Sequence, residues 1–272
     1  MRATVVVDNL ERDGLSGQWG LCVFIEYRGK RILLDTGASS LFAVNAEKLG
    51  LPLEEVDYAV LSHGHSDHAN GMADFFRINS RAKFFLRDGC GENCYKRMGF
   101  ARKYIGIPRG IEAAYPDRIV HVSGDFALCG GARLLPHTAP GLEALGRREK
   151  MCLRRNGRWV PDDFSHEQSL VLETSRGLVV FNSCSHGGAV NIIREAEAAC
   201  PNQRVLALIG GLHLFNKTDS EVRALAGQLR DTGIEKVYTG HCTGESAYAL
   251  LRAELGDVVR QFYTGLVMEF AD

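Results

Sequence analysis

The chain has 272 residues, of which 45% are hydrophobic and 24% charged, and carries a formal net charge of −1. That length suits one large α/β domain or two small ones, and an even composition without low-complexity tracts favours one. Near-neutrality excludes a global electrostatic pull toward nucleic acid or membrane, so any such argument has to be local.

From Met1 the sequence goes straight into the strand-like run Thr4-Val5-Val6-Val7, with no secretion signal ahead of it. No apolar run approaches the ~20 residues that a membrane span needs. Eight cysteines at irregular spacing in such a chain read as reduced thiols, and the expected location is the cytoplasm. Cys90 and Cys94 lack a second close pair and read as ordinary thiols.

Residues 3–8, 20–27 and 30–35 read as strands, the last two as a hairpin about Arg28-Gly29 that ends in Asp35-Thr36-Gly37. A helix over 41–49, closed by Gly50, precedes a buried strand over 56–61. That strand delivers Leu61-Ser62-His63-Gly64-His65-Ser66-Asp67-His68. Three imidazoles and a carboxylate within six residues suit a divalent ion, because a structural histidine is normally alone. His63 and His65 can point the same way from an extended loop. Asp67 and His68 can turn toward a second ion beside the first.

The span 87–165 is less regular and reads as an insertion or cap over the site. His121 and His137 within it read as structural or substrate-facing. Regular alternation returns with strands over 169–174, 178–182, 205–209 and 236–239, separated by helices that end near Cys200, Gly233 and residue 255. Three successive strands each end in a histidine: His186, His213 and His241. Ligands drawn from the same ends of neighbouring strands make a rigid metal site.

Asp35-Thr36-Gly37, the His63–His68 cluster, Asn182-Ser183-Cys184-Ser185-His186, Gly210-Gly211-Leu212-His213 and His241-Cys242-Thr243-Gly244 together resemble the metallo-β-lactamase superfamily. Within it they look like the branch named for dihydropterin-ribofuranosyl-aminobenzene phosphate synthase. The resemblance spans nearly the whole chain, least in the cap. It implies an α/β fold, a four-layer αββα sandwich forming one domain over residues 1–272 with 87–165 as cap. Two divalent metal ions are implied, zinc first with manganese or iron as alternatives, about 3.5–4 Å apart.

The resemblance also implies roles. His63 and His65 would hold one ion, Asp67 and His68 the other, with His241 completing the second site and His186 serving as a further ligand. Cys184 stands where the superfamily's bridging aspartate usually lies, and Cys184, His166 and Glu167 are reserve ligands. Asp35 would orient a ligand histidine from behind. Asp67 and His213 are the catalytic candidates, His213 on the substrate side.

Between Arg87 and Arg158 stand 14 Lys+Arg against 7 Asp+Glu, a local +7 that leaves about −8 elsewhere. A cap of that charge would select an anion, and Arg154, Arg155 and Arg158 are the expected substrate-binding residues. The leading expectation is a metal-dependent hydrolase of a small anionic, phosphorylated molecule. A transferase or synthase of pterin metabolism, and a non-catalytic metal-binding sensor, are the alternatives. No extended basic and aromatic surface stands out, which argues against a nucleic-acid partner, and a homo-oligomer is compatible with the sequence.

Overall fold

Alternating apolar residues in the N-terminal third build the first sheet of the computed structural model, which describes residues 1–271. Its seven strands run in the order Val267–Glu269, Arg2–Val7, Cys22–Tyr27, Lys30–Leu34, Tyr58–Val60, Lys83–Arg87 and Ile119–Val122. The second sheet also has seven, in the order Val259–Gln261, Lys236–Thr239, Val205–Ile209, Gly177–Phe181, Gln168–Thr174, Ala132–Pro136 and Phe126–Cys129.

The two sheets face each other across a core that joins Val5, Val23, Ile25 and Leu34 to Leu134, Leu170, Val179, Phe181 and Ile209. Each sheet buries its other face under helices. Leu41–Lys48 and Met72–Ile78 cover the first, while Ala189–Ala199, Asp219–Asp231 and Glu245–Leu255 cover the second. A sheet buried on both faces reads as a near-continuous apolar run, which is why Val-Leu-Ala-Leu-Ile at 205–209 carries no polar alternation. The fold is therefore the αββα sandwich expected from the sequence.

The span 87–165 divides. Residues 119–136 supply strands to both main sheets, while a separate four-stranded antiparallel sheet stands over one edge, in the order Arg158–Pro161, Met151–Arg155, Cys94–Met98 and Ala101–Tyr104. Long-range pairing between residues 94–98 and 151–153 closes this cap.

In the second sheet the parallel strands ending at Phe181, Ile209 and Thr239 all finish at the same edge, so the loops after them meet there. The loop after Val60 in the first sheet reaches the same place. Asp35, just after the strand Lys30–Leu34, and three non-glycine residues of these loops, Ser185, His213 and His241, hold positive φ angles of 61°, 52°, 49° and 47°. Such backbone is costly for residues with a side chain and concentrates where surrounding structure fixes it for a purpose.

Candidate metal centre

Asp35 is the fixed point behind the site. It is fully buried and accepts four hydrogen bonds: from Ser62 N (2.7 Å) and Ser62 Oγ (2.7 Å), from Ser183 Oγ (2.6 Å), and from His68 Nδ1 (2.8 Å). Ser62 gives its proton to Asp35 and so must accept from its other neighbour, His63 Nδ1, at 2.9 Å. His241 Nδ1 is likewise held by Asn9 Oδ1 at 3.2 Å. In all three rings Nδ1 is committed, and Nε2 is turned inward.

At His63 and His241 that nitrogen has no hydrogen-bond partner, and other rings join them. Nε2 of His63, His65 and His241 and both ring nitrogens of His186 and His213 are buried without a hydrogen-bond partner. An unpaired buried polar atom is expensive, and native structures keep few of them. Here they converge. Ligand atoms of His63, His65 and His186 lie within 4.8 Å of one another, as do those of His63, His68 and Cys184, and those of Cys184, His241 and Cys242. Asp67 Oδ2 is 3.6 Å from His68 Nε2 and 3.5 Å from His241 Nε2.

Charge supports the same reading. Burial, reinforced by the neighbouring imidazoles, holds His63 and His186 well below the usual histidine range and His65 down at about 3, so all three are neutral donors. Burial also opposes charge on His68, yet Asp67 and Asp35 beside it hold its pKa up at about 10. Burial would raise Asp67, but His68 and His241 outweigh it and keep the carboxylate well below its ordinary value. The neutral imidazoles of His63, His65 and His186, with the Asp67 carboxylate and the Cys184 thiol, form a donor set suited to divalent transition metals, and His68 would give up its Nε2 proton on binding one.

Cys184 is central to the arrangement. Its Sγ lies 3.4 Å from His68 Nε2 and 3.4 Å from Cys242 Sγ, at the strand end that the sequence resemblance matches to a bridging aspartate. Glu167, one of the reserve ligands, does something else: its two oxygens accept from His186 N at 2.9 Å and Gly187 N at 2.7 Å, fixing the turn that presents His186. Beneath that turn Gly210 has a φ of 142°, and a Cβ there would lie 1.8 Å from Asn182 O, so only glycine allows the two strand ends to approach.

His166 belongs to a cluster beside these nitrogens, its ligand atom within 4.8 Å of those of His65, Cys94 and Asp162. It accepts from Gly64 N at Nδ1 (3.1 Å), and Nε2 meets Asp162 Oδ2 at 3.2 Å, so its ring holds the backbone between His63 and His65 in place. His137 and His121 are structural, bonded to Glu195 (2.9 Å) and Glu112 (2.7 Å).

A cavity of about 210 Å³ opens onto the metal ligands. Its outer wall is Trp19, Lys96, Ile105, Met151 and Phe215, of which Trp19 and Phe215 meet edge to face with ring centroids 5.7 Å apart. Trp19 Nε1 donates to Asp67 Oδ2 at 3.0 Å, tying a ligand carboxylate to the cavity wall. The arginines expected to hold substrate are not there. Arg155 pairs with Asp163 at 2.7 Å and reaches Ser165, Arg154 lies toward the Trp159 ring, and Arg158 is exposed at the far strand of the cap sheet. The cation that faces the cavity is Lys96.

His213 lies on the cavity wall, 4.5 Å from the His186 ring and with Nε2 3.6 Å from Glu149 Oε2. Glu149 comes from the cap, is buried, and is ion-paired with Lys217. Contact with His213, then with Lys217 and Asn216, holds its carboxyl well below the usual range. Burial opposes charge on His213, but Cys242 and Glu149 raise its pKa to about 9. Nothing in the sequence pairs residue 149 with residue 213, and Trp19 and Lys96 likewise carry no local signal.

Comparison with known proteins points to the same fold. The metallo-beta-lactamase superfamily profile matches residues 20–146. The chain is 26% identical, over 93% of its length and 90% of the relative's, to 7,8-dihydropterin-6-methyl-4-(beta-D-ribofuranosyl)-aminobenzene-5'-phosphate synthase of Methanocaldococcus jannaschii. Among solved structures, Tm1679, described as a metal-dependent hydrolase of the beta-lactamase superfamily, superposes with a TM-score of 0.85 at 28% identity, covering 100% of both chains. Zn(2+)-bound PqqB from Methylobacterium extorquens shares the fold alone, at 11% identity and a TM-score of 0.57, covering 99% of this chain and 100% of PqqB.

Proposed function

We propose that this chain, which carries a metallo-β-lactamase domain and has that fold, is a metal-dependent hydrolase of a small phosphorylated molecule. The observation that carries the reading is the convergence of buried, unpaired imidazole nitrogens from His63, His65, His186 and His241 with Asp67, His68 and Cys184. His63, His65 and His186 would hold one divalent ion, and Asp67, His68 and His241 the other, with Cys184 between them. When bound, ions in such a set supply a hydroxide nucleophile near neutral pH and stabilise charge that develops on the substrate.

The chain's own residues provide the rest. Lys96 at the cavity mouth is placed to hold a phosphate, as a single compact charge without the forked geometry of arginine. Trp19, Ile105, Met151 and Phe215 give the mouth apolar walls that limit water and accept a flat substrate body. His213, charged at neutral pH and held by Glu149, is placed to give its proton to a departing oxygen. Trp19 keeps one lone pair of Asp67 occupied and so fixes the rotation of that carboxylate.

A second reading rests on the likeness to the Methanocaldococcus jannaschii synthase: the same site would join two substrates, one of them phosphorylated and aromatic. One experiment separates the two. The purified chain, loaded with Zn²⁺ or Mn²⁺, is incubated with a phosphodiester such as bis(p-nitrophenyl) phosphate in ¹⁸O-water. Hydrolysis predicts metal-dependent release with label in the product phosphate. Turnover that requires a second organic substrate and leaves ¹⁸O out of the product would favour the synthase.

A further inference from the structure

The cap sheet has a second cationic hollow, on the face opposite the metal centre. In the hairpin formed by Cys94–Met98 and Ala101–Tyr104, Arg97 is the direct cross-strand partner of Arg102, and Lys96 of Lys103. Like charges opposed in this way repel, and a hairpin shaped for stability alone would pair opposite ones. Strand alternation sends Lys96 toward the metal cavity and Arg97 to the other face.

On that other face Arg97 and Arg102 meet Arg147 and Lys150 around a cavity of about 330 Å³, whose wall includes Trp159 and Pro161. Among the described residues no carboxylate lines it. Of the four cations only Arg147 has an ion-pair partner among the described residues, Glu143 at the surface. The Arg102 guanidinium lies over the Trp159 ring, 4.3 Å from its centroid. Stacking of this kind fixes the plane of the guanidinium and leaves its N–H edge free for an anion.

We propose that this cavity binds an organic phosphate of nucleotide size. The phosphate would be gripped by Arg97 and Arg102, whose charges are otherwise opposed without compensation, and the flat body would lie along the Trp159 and Pro161 wall. Paired guanidinium groups suit phosphate because each can offer two parallel N–H donors. A volume of about 330 Å³ lies within the range of small-molecule sites, and Met151 lines both this cavity and the metal cavity, which places the bound molecule one residue away from the catalytic mouth.

The site is tested by calorimetric titration of the full chain with AMP, adenosine, inorganic phosphate and an oligodeoxyadenylate of about twelve nucleotides. AMP is expected to bind one to one, with adenosine and phosphate each weaker. Arg97→Gln with Arg102→Gln should weaken AMP by at least about tenfold while metal content and melting temperature stay unchanged, since both side chains are exposed. Arg158→Gln, outside the cavity, should bind AMP as wild type does. If the double variant does not fold, Lys150→Gln gives the same reading with a smaller loss. No AMP binding, adenosine binding as tightly as AMP, an affinity that ignores these substitutions, or binding confined to the oligonucleotide would each overturn the proposal.

Discussion

The metal centre and the cap sheet solve opposite problems. At the centre, polar atoms are buried and the Nδ1 atoms of His63, His68 and His241 are committed: Asp35 alone accepts four hydrogen bonds and sets the rings of His63 and His68. On the cap, cations are exposed, paired with one another across a hairpin, and short of carboxylate partners. The first arrangement is rigid and pre-organised for one kind of ion, because burial makes each unpaired nitrogen costly until an ion fills it. The second costs little when empty, because water screens exposed charge, and it gains when an anion arrives. Substitutions at the centre should therefore act on metal and turnover together, and those on the cap on ligand affinity alone.

The largest effect is expected at the ligands. His63→Ala or His186→Ala should remove metal and abolish turnover; His186→Ala retaining full metal would take that ring out of the site. Asp35→Asn comes next. It keeps the volume but turns an acceptor of four donors into a poorer one, and metal affinity should fall about 10- to 100-fold, as read from competition with a chelator of known affinity. A value within twofold of wild type would break the claim that Asp35 fixes the ligand rings.

Glu149→Gln and His213→Ala should each lower kcat by roughly 10²-fold, within the range for general acid catalysis, while metal content is preserved. Loss of metal in His213→Ala would move His213 into the ligand set. Lys96→Gln should raise KM for a phosphorylated substrate by about tenfold with kcat little changed, whereas replacing Arg154 and Arg158 should leave KM alone. The smallest effect concerns pH. The carboxyl of Glu149 is depressed in the fold, so its contribution to stability is present above its ordinary pKa and is lost as pH falls through the folded value. The pKa of His213 is raised to about 9, so its contribution is complete below the ordinary histidine value and is lost as pH climbs through about 9. Urea unfolding of the metal-free protein should thus show wild type losing more stability than Glu149→Gln on acidification from pH 7 to 3.

The same contrast explains what could be read from the chain. Buried strands such as Val205–Ile209 announce themselves by composition, and His63, His65, Asp67 and His68 are contiguous, so the sandwich and the heart of the site were legible. Asp35 was legible too, because a carboxylate at a strand end followed by a tight turn has a recognisable use. The cap was not. Its sheet is closed by pairing residues 94–98 with 151–153, and no local pattern reveals a contact between segments so far apart.

Charge counting located the basic excess in the right span but chose Arg154, Arg155 and Arg158 by nearness in sequence, while strand alternation aims Lys96 at the cavity. His166 sits just ahead of a strand, as a ligand would. Its contacts with Gly64 N and Asp162, and its place beside His65 and Cys94, are ones that only coordinates reveal.

The central claim is that the inward nitrogens of His63, His65, His186 and His241 exist to hold divalent ions. Metal content per chain after reconstitution with Zn²⁺, measured in parallel on wild type and on the His63→Ala and His241→Ala variants, tests it most directly. The account predicts two ions per wild-type chain and loss of at least one in each variant, with the chains still folded. No metal in the wild type, or an unchanged count in both variants, would contradict it.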